Sequence, residues 1–158
     1  MIEVAPNLYV GSQATYEAPA LRAAWKFILA AKEPWHRGAL GYVGRGAPKD
    51  SIEYLWAYRD GDLILNIVDV EDPKYIAKSM MDEAVKYGRD HMATGETVAV
   101  VCNQGRSRST TIAMLIMAPS LSADFETAED QFRAVYPDYA PANGVRSFAR
   151  EHWTQYHG

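Results

Sequence analysis

Apolar residues change period several times along the chain, and each change marks an element. Thr97 to Val101 is a β-branched apolar run that predicts a buried strand, and the continuous apolar stretch 112–117 predicts a buried helix ended by Pro119. A similar run at 63–68, after the turn residues Asp60, Gly61 and Asp62, predicts another buried strand. Residues 8–10, ending at Gly11, predict a further strand, and residues 26–30 one more, although their alanine flanks would also suit a helix. Helical spacing takes over elsewhere. Ile76, Met80, Ala84 and the pair Met81 and Val85 form a stripe, with Asp72 and Pro73 as cap and first helical residue, so a helix is expected to about Met92, before Gly95. Phe125, Ala128, Phe132 and Val135 form one face of another, capped by Ser122 or Asp124 and stopped at Tyr136 and Pro137. A last amphipathic helix should run from Val145 to about Tyr156 with Phe148 and Trp153 inward.

Three stretches are less regular. Ser12 is placed to cap a turn or helix through the alanine-rich segment to about Arg22, and residues 51–58 predict a short helix carrying Ile52, Leu55 and Trp56. Between them, residues 33–50 hold two prolines and four glycines, which break any period and predict a long loop, as does the segment PDYAPANG. Strands alternating with helices predict an α/β fold: a central, mostly parallel sheet flanked by helices. The expected organisation is one domain over 1–158 with an atypical region at about 25–60.

Composition narrows the class. With 158 residues, 48% hydrophobic and 23% charged, the chain has the bulk of one ordinary core. A net charge of −4 argues against nucleic acid or acidic membranes as partners, so any phosphate affinity has to be local. One cysteine cannot form an intrachain disulfide and suits a reducing compartment. No apolar run approaches the ~18 residues of a membrane span, and the N-terminus does not read as a leader, so a cytoplasmic monomer is expected. His91, His152 and His157 lack metal-ligand spacing, and Met80, Met81, Met114 and Met117 fit a core, so no metal or cofactor is expected.

The chemistry concentrates between the strand at 97–101 and the helix at 112–117. Cys102 opens a polar loop and Arg108 closes it, with Asn103, Gln104, Gly105, Arg106 and Ser107 between. A strand feeding a helix through a short loop gathers unpaired backbone N–H groups and the positive end of a helix dipole around one small volume, which suits an anion. Backbone amides of Asn103 to Arg108 can wrap the oxygens of a phosphate, Gly105 permits the backbone geometry, and Arg108 can grip two oxygens bidentately. The same donors favour a thiolate at Cys102, which could attack phosphorus to give a phosphocysteine. The leaving oxygen then needs a proton from an acid on a nearby loop. Asp69 follows the strand at 63–68, and neighbouring parallel strands end on the same edge of the sheet. Asp72 is the rival acid, already occupied as a cap.

The string VCNQGRSRS resembles the signature of the cysteine-based protein phosphatases in its dual-specificity form. The order also matches, with Asp69 33 positions before Cys102. The low-molecular-weight tyrosine phosphatases, with the cysteine near the N-terminus and the acid after it, fit less well. NLYVGSQATYE resembles the opening strand and turn of dual-specificity phosphatases, and PANGVRSF their late segment before the last helix. The resemblance implies Cys102 as nucleophile, Arg108 as phosphate clamp, Ser109 as the hydroxyl that stabilises the leaving thiolate, and Asp69 as general acid and later base, without metal or cofactor. Substrates would be phosphotyrosine and phosphoserine or phosphothreonine proteins, with a nucleotide, RNA 5′-end, lipid or sugar phosphate as alternatives.

Two departures from that pattern stand out. The family has histidine just before the cysteine, where it helps organise the loop, and this chain has Val101. A catalytically weak phosphate-binding pseudophosphatase is therefore the competing expectation, with a rhodanese-like sulfur transferase behind it. The second departure is residues 25–58, where His36, Arg37, Arg45 and Lys49 are candidates for a basic wall that selects an anionic substrate. Arg106 is expected to point outward.

Overall fold

The computed structural model describes residues 1–17 and 24–158. Among the described residues six strands form one sheet: β1 (Ile2–Ala5), β2 (Leu8–Ser12), β3 (Lys26–Leu29), β4 (Trp56–Arg59), β5 (Asp62–Leu65) and β6 (Val98–Cys102), in the order β1-β2-β6-β3-β5-β4. The four inner strands are parallel, while β1 and β4 join antiparallel at the two edges. The α/β expectation therefore holds. Helices are α1 (Gln13–Tyr16), α2 (Arg37–Leu40, preceded by a wide π-type turn at Lys32–His36), α3 (Lys78–Ala93), α4 (Arg108–Ile116), α5 (Phe125–Val135) and α6 (Asn143–His157). Of the segment expected to continue helically to Arg22, α1 is seen and residues 18–23 lie outside the described residues.

Strand alternation sorts the core into two layers. Val98, Val100 and Cys102 of β6 face the main core with Ile28, Leu63 and Leu65, under α3, α4, α5 and α6. Ala99 and Val101 face the other side with Phe27, Leu29 and Ile64, covered in part by Tyr9, Tyr16, Trp25 and Trp35. Helix α4 is buried from Ser109 to Ile116, which explains why its apolar half, Ile112 to Ile116, is a continuous run rather than a stripe.

Several expectations are corrected. Residues 51–58 do not form a helix: a turn leads into β4, which pairs Trp56 with Leu65 and Tyr58 with Leu63, and Ile52 is fully exposed. The hairpin turns on Asp60 (φ 54°) and Gly61 (φ 85°), both left-handed, the geometry that matches the twist of paired strands. The strand expected at 63–68 stops at Leu65. Asp72 caps only a short turn at Pro73–Tyr75, its carboxylate accepting from Lys74 N at 2.9 Å, and α3 starts afresh at Lys78. On α5, Val135 is half exposed, and the buried place on that side goes to Glu129. Glu129 accepts from Arg146 (2.9 and 2.8 Å) and Tyr139 (2.7 Å); burial pushes its carboxyl up, but these bonds and the Arg146 charge outweigh it and hold it below the usual range. That cluster ties α5 to α6 across the loop at 137–142. Sequence pattern gave no sign of β1.

Candidate active site

All four inner strands end at one edge of the sheet, and β6, central among them, delivers Cys102 there. The Cys102 thiol is buried, with Sγ 3.1 Å from Ser109 Oγ at the start of α4. The loop between them is pinned from outside. Tyr136 donates to Gly105 O at 2.5 Å, and burial holds its hydroxyl above the usual tyrosine range, so it remains a donor. Ala140 N donates to Arg106 O at 2.9 Å, and Thr110 Oγ1 to the same carbonyl at 2.7 Å. Gly105 sits at φ 72°, and a Cβ there would lie 2.9 Å from Gly11 O, so the glycine is required both for backbone conformation and for the close approach of β2.

With the carbonyls held outward, the inner side of the loop is left with donors. Among the described residues, the backbone N–H groups of Gln104, Gly105, Arg106 and Ser107 donate no hydrogen bond. Arg108 folds back over the loop, giving Nη1 to Ile67 O (3.2 Å) and Nη2 to Asn103 Oδ1 (2.6 Å), while its buried Nε has no acceptor among the described residues. A buried guanidinium N–H without a partner costs about 1–3 kcal/mol, which an oxyanion in the cavity would recover. That cavity encloses about 410 Å³ and is lined by Asp69, Asn103, Gln104, Ser107 and Arg108, with Arg106 and Ala140 at its side.

Asp69 reaches this cavity from the segment after β5. Its Oδ1 accepts from Ser107 Oγ at 2.6 Å, and Ser107 Oγ in turn accepts from Ala142 N at 2.8 Å. Asp69 and Arg108 thus line one cavity, while Cys102 and Ser109 meet at the two ends of the loop that forms it. Asp72, the rival acid, does not line the cavity and is occupied with Lys74 N. Arg106 is exposed, as expected. Ser107, Tyr136 and Gln13 contribute more than the sequence suggested.

Asn103 links the site to its surroundings. Besides holding Arg108, its Nδ2 donates to Gln13 Oε1 (3.1 Å) and Glu33 O (2.9 Å), and its carbonyl accepts from Gln13 N (3.3 Å). Val101, where the resemblance implies histidine, points to the opposite sheet face and is fully buried among Phe27, Leu29 and Ile64. The loop is tied to Gln13 and Glu33 through the Asn103 side chain, not through that position.

The basic wall is not assembled. His36 is completely buried, with Nδ1 3.1 Å from Tyr42 Oη and Nε2 2.8 Å from Glu53 O, and burial lowers its pKa below the usual 6.5. Arg37 is committed to the Glu33 carboxylate (2.8 Å) and to the carbonyls of Tyr42 (3.0 Å) and Gly44 (2.7 Å). These two hold the 33–53 region together, while Arg45 and Lys49 are exposed. Residue type alone suggested a charged surface; the irregular backbone needed internal donors and took them from these side chains.

No protein-family model and no curated protein matches this sequence. Solved structures do. Human DUSP28 matches with a TM-score of 0.69 at 19% identity, covering 98% of this chain and 96% of that one. DUSP15 matches with a TM-score of 0.70 at 18% identity, covering 97% and 86%. The human tyrosine phosphatase-like serine/threonine/tyrosine-interacting protein matches with a TM-score of 0.69 at 17% identity, covering 100% and 98%. The similarity extends over the whole sheet and its helices, and this chain has the dual-specificity phosphatase fold.

Proposed function

We propose that the protein is a cysteine-dependent phosphatase that hydrolyses phosphate monoesters through a phosphocysteine, acting on phosphotyrosine and phosphoserine or phosphothreonine in proteins. The observation that carries this reading is a cavity lined by a guanidinium with an unsatisfied Nε and a carboxylate from a separate loop, walled by the loop that the buried strand-end thiol of Cys102 opens. The dual-specificity phosphatase fold supports it. The Cys102 thiolate attacks phosphorus in line with the leaving oxygen, Arg108 and the loop amides hold the peripheral oxygens, and Asp69 protonates the leaving oxygen. Asp69, now a carboxylate, then takes a proton from the water that attacks the phosphocysteine, and Ser109 donates to the departing sulfur.

The test uses an aryl phosphate and a phosphopeptide. Cys102→Ser should abolish turnover of both while retaining phosphate-dependent binding, and Asp69→Asn should slow hydrolysis most where the leaving group is poor, by about 10²–10⁴-fold as for a lost general acid. Full activity in Cys102→Ser would refute the mechanism. Tight phosphopeptide binding by the wild type with no burst of nitrophenol would replace it with a phosphate-recognition module.

A further inference from the structure

A second cavity, of about 490 Å³, opens beside the catalytic one. The two share a wall: Asp69 lines the catalytic cavity, while its neighbours Val68 and Val70 line the second. Leu55 and Met80 add apolar surface, and Tyr54 and Tyr75 supply aromatic walls. Asn66 is fixed in it by donating Nδ2 to Tyr54 O at 2.8 Å. The far side is formed by Gly46, Ala47, Tyr54 and Leu55, from the region that departs from the family pattern.

Its charge is opposite to that of the chain. Lys32 and Lys74 line it and no carboxylate does, in a protein of net charge −4. Lys32 Nζ donates to the neutral carbonyl of Arg45, so its charge is not cancelled. Lys74 Nζ lies 3.8 Å from Asp72 Oδ2 and 5.1 Å above the Tyr75 ring, with its side chain 66% exposed. The shared rim is apolar and open, Val68 being 45% and Tyr75 68% exposed. A cleft of this size and lining takes an apolar side chain together with an anionic group. Because Val68 and Val70 of this cleft flank Asp69 of the other in sequence, the two lie within reach of a few residues of extended chain.

We propose that this cleft is a substrate subsite for acidic phosphopeptides, seating an apolar residue against Val68, Val70 and Tyr75 and a nearby carboxylate or second phosphate against Lys74 and Lys32. The assignment rests on the phosphatase reading above and adds a substrate preference to it. A peptide fits better than a compact metabolite because the apolar rim between two separate cavities is the part an extended backbone would cover.

The experiment compares three substrates: a phosphotyrosine peptide with Asp and Leu within three residues of the phosphotyrosine, the same peptide with Asn for Asp, and p-nitrophenyl phosphate. Lys74→Ala should raise KM for the acidic peptide about three- to fivefold, the scale of one exposed ion pair, with kcat unchanged and little effect on the other two substrates. Lys74→Glu should raise it further and reverse the preference between the two peptides. Titrating the acidic peptide onto Cys102→Ser, with and without Lys74→Ala, reads the cleft without chemistry, so a failed phosphatase mechanism and a failed subsite give different results. Equal changes for both peptides, or no change for either, would overturn the proposal.

Discussion

Gly144 is the second residue of α6, and its backbone N–H donates to Val70 O at 3.0 Å, one residue from Asp69. A Cβ placed there would lie 2.5 Å from that same carbonyl oxygen, 2.7 Å from Asp72 N and 2.8 Å from Asp72 C. All three are backbone atoms, so no side chain can rotate away. Against an ordinary contact of 3.4 Å the overlap is about 0.9 Å, and either α6 or the acid segment must move. Helix α6 is anchored by Phe148, Trp153 and Tyr156 in the core and by Arg146 on Glu129, whereas Asp69, Glu71 and Asp72 are exposed. The acid segment should yield. Gly144→Ala loses a hydrogen bond of about 1 kcal/mol and adds about 1–3 kcal/mol of crowding, offset by up to about 1 kcal/mol of helix propensity. A net loss of about 1–3 kcal/mol lowers Tm by roughly 3–10 °C in a chain of this size. The larger effect is chemical: moving Asp69 by about 1 Å should cost on the order of 10²-fold in proton transfer. Rates on phenyl phosphate should fall far more than on p-nitrophenyl phosphate, whose leaving group needs little protonation, and adding Asp69→Asn should cost little more. An unchanged ratio between the two esters, with unchanged Tm, would refute the claim that Gly144 seats the acid.

Two further predictions concern groups that act behind the site. Asn103→Ala removes the acceptor of Arg108 Nη2 and the bridge to Glu33 and Gln13, so kcat/KM for an aryl phosphate should fall about 10–100-fold, the scale of a charge-assisted hydrogen bond, and inhibition by inorganic phosphate should weaken in parallel. Asn103→Asp keeps the Arg108 contact and should recover part of the loss, which a purely structural role for Asn103 would not produce. His36, buried and held neutral, has its pKa lowered from 6.5, so the unfolded chain binds more protons than the folded one below that value. Its contribution to stability is therefore complete above about pH 6.5 and declines as pH falls toward the depressed folded value. Urea unfolding between pH 5 and 8 should show this slope, and His36→Gln should flatten it.

The parts of the molecule that could be read from sequence are those whose causes are local. The strand, loop and helix around Cys102 follow from an apolar run, a glycine and a second apolar run in immediate succession, and Asp69 follows from the rule that parallel strands end together. The sequence of strand β4 suits a helix as well, because its identity depends on pairing with β5, while its own residues, Trp56 to Arg59, carry no alternation decisive enough to exclude a helix. The basic wall failed for a related reason: whether His36 and Arg37 face solvent is decided by Tyr42, Glu53 and the carbonyls of a loop with no periodicity to read. Tyr136 looked like no more than the end of a helix, since nothing nearby in sequence indicates that its hydroxyl meets Gly105.

A loop that must leave its amides unpaired cannot be stabilised by its own backbone, so its order has to come from elsewhere. Here it comes from four distant segments: Gln13 beside β2; Glu33; Ile67 and Asp69 after β5; and Tyr136, Ala140 and Ala142 before α6. None of these contacts uses an amide of Gln104 to Ser107: Tyr136 and Ala140 take the carbonyls of Gly105 and Arg106, and the side chains of Asn103, Ser107 and Arg108 take most of the rest. Asp69 on Ser107 couples the carboxylate to the loop. This distribution gives a physical account of Val101. A histidine before the cysteine is one way to fix the loop from the opposite sheet face, but that face is here filled by Phe27, Leu29, Ile64 and the aromatic residues over them. Fixing the loop through Asn103 instead links Arg108 to Glu33, at the edge of the atypical region that also builds the second cleft. Changes in that region can then reach Arg108 through one carbonyl, which connects the two departures from the pattern that the sequence resembles.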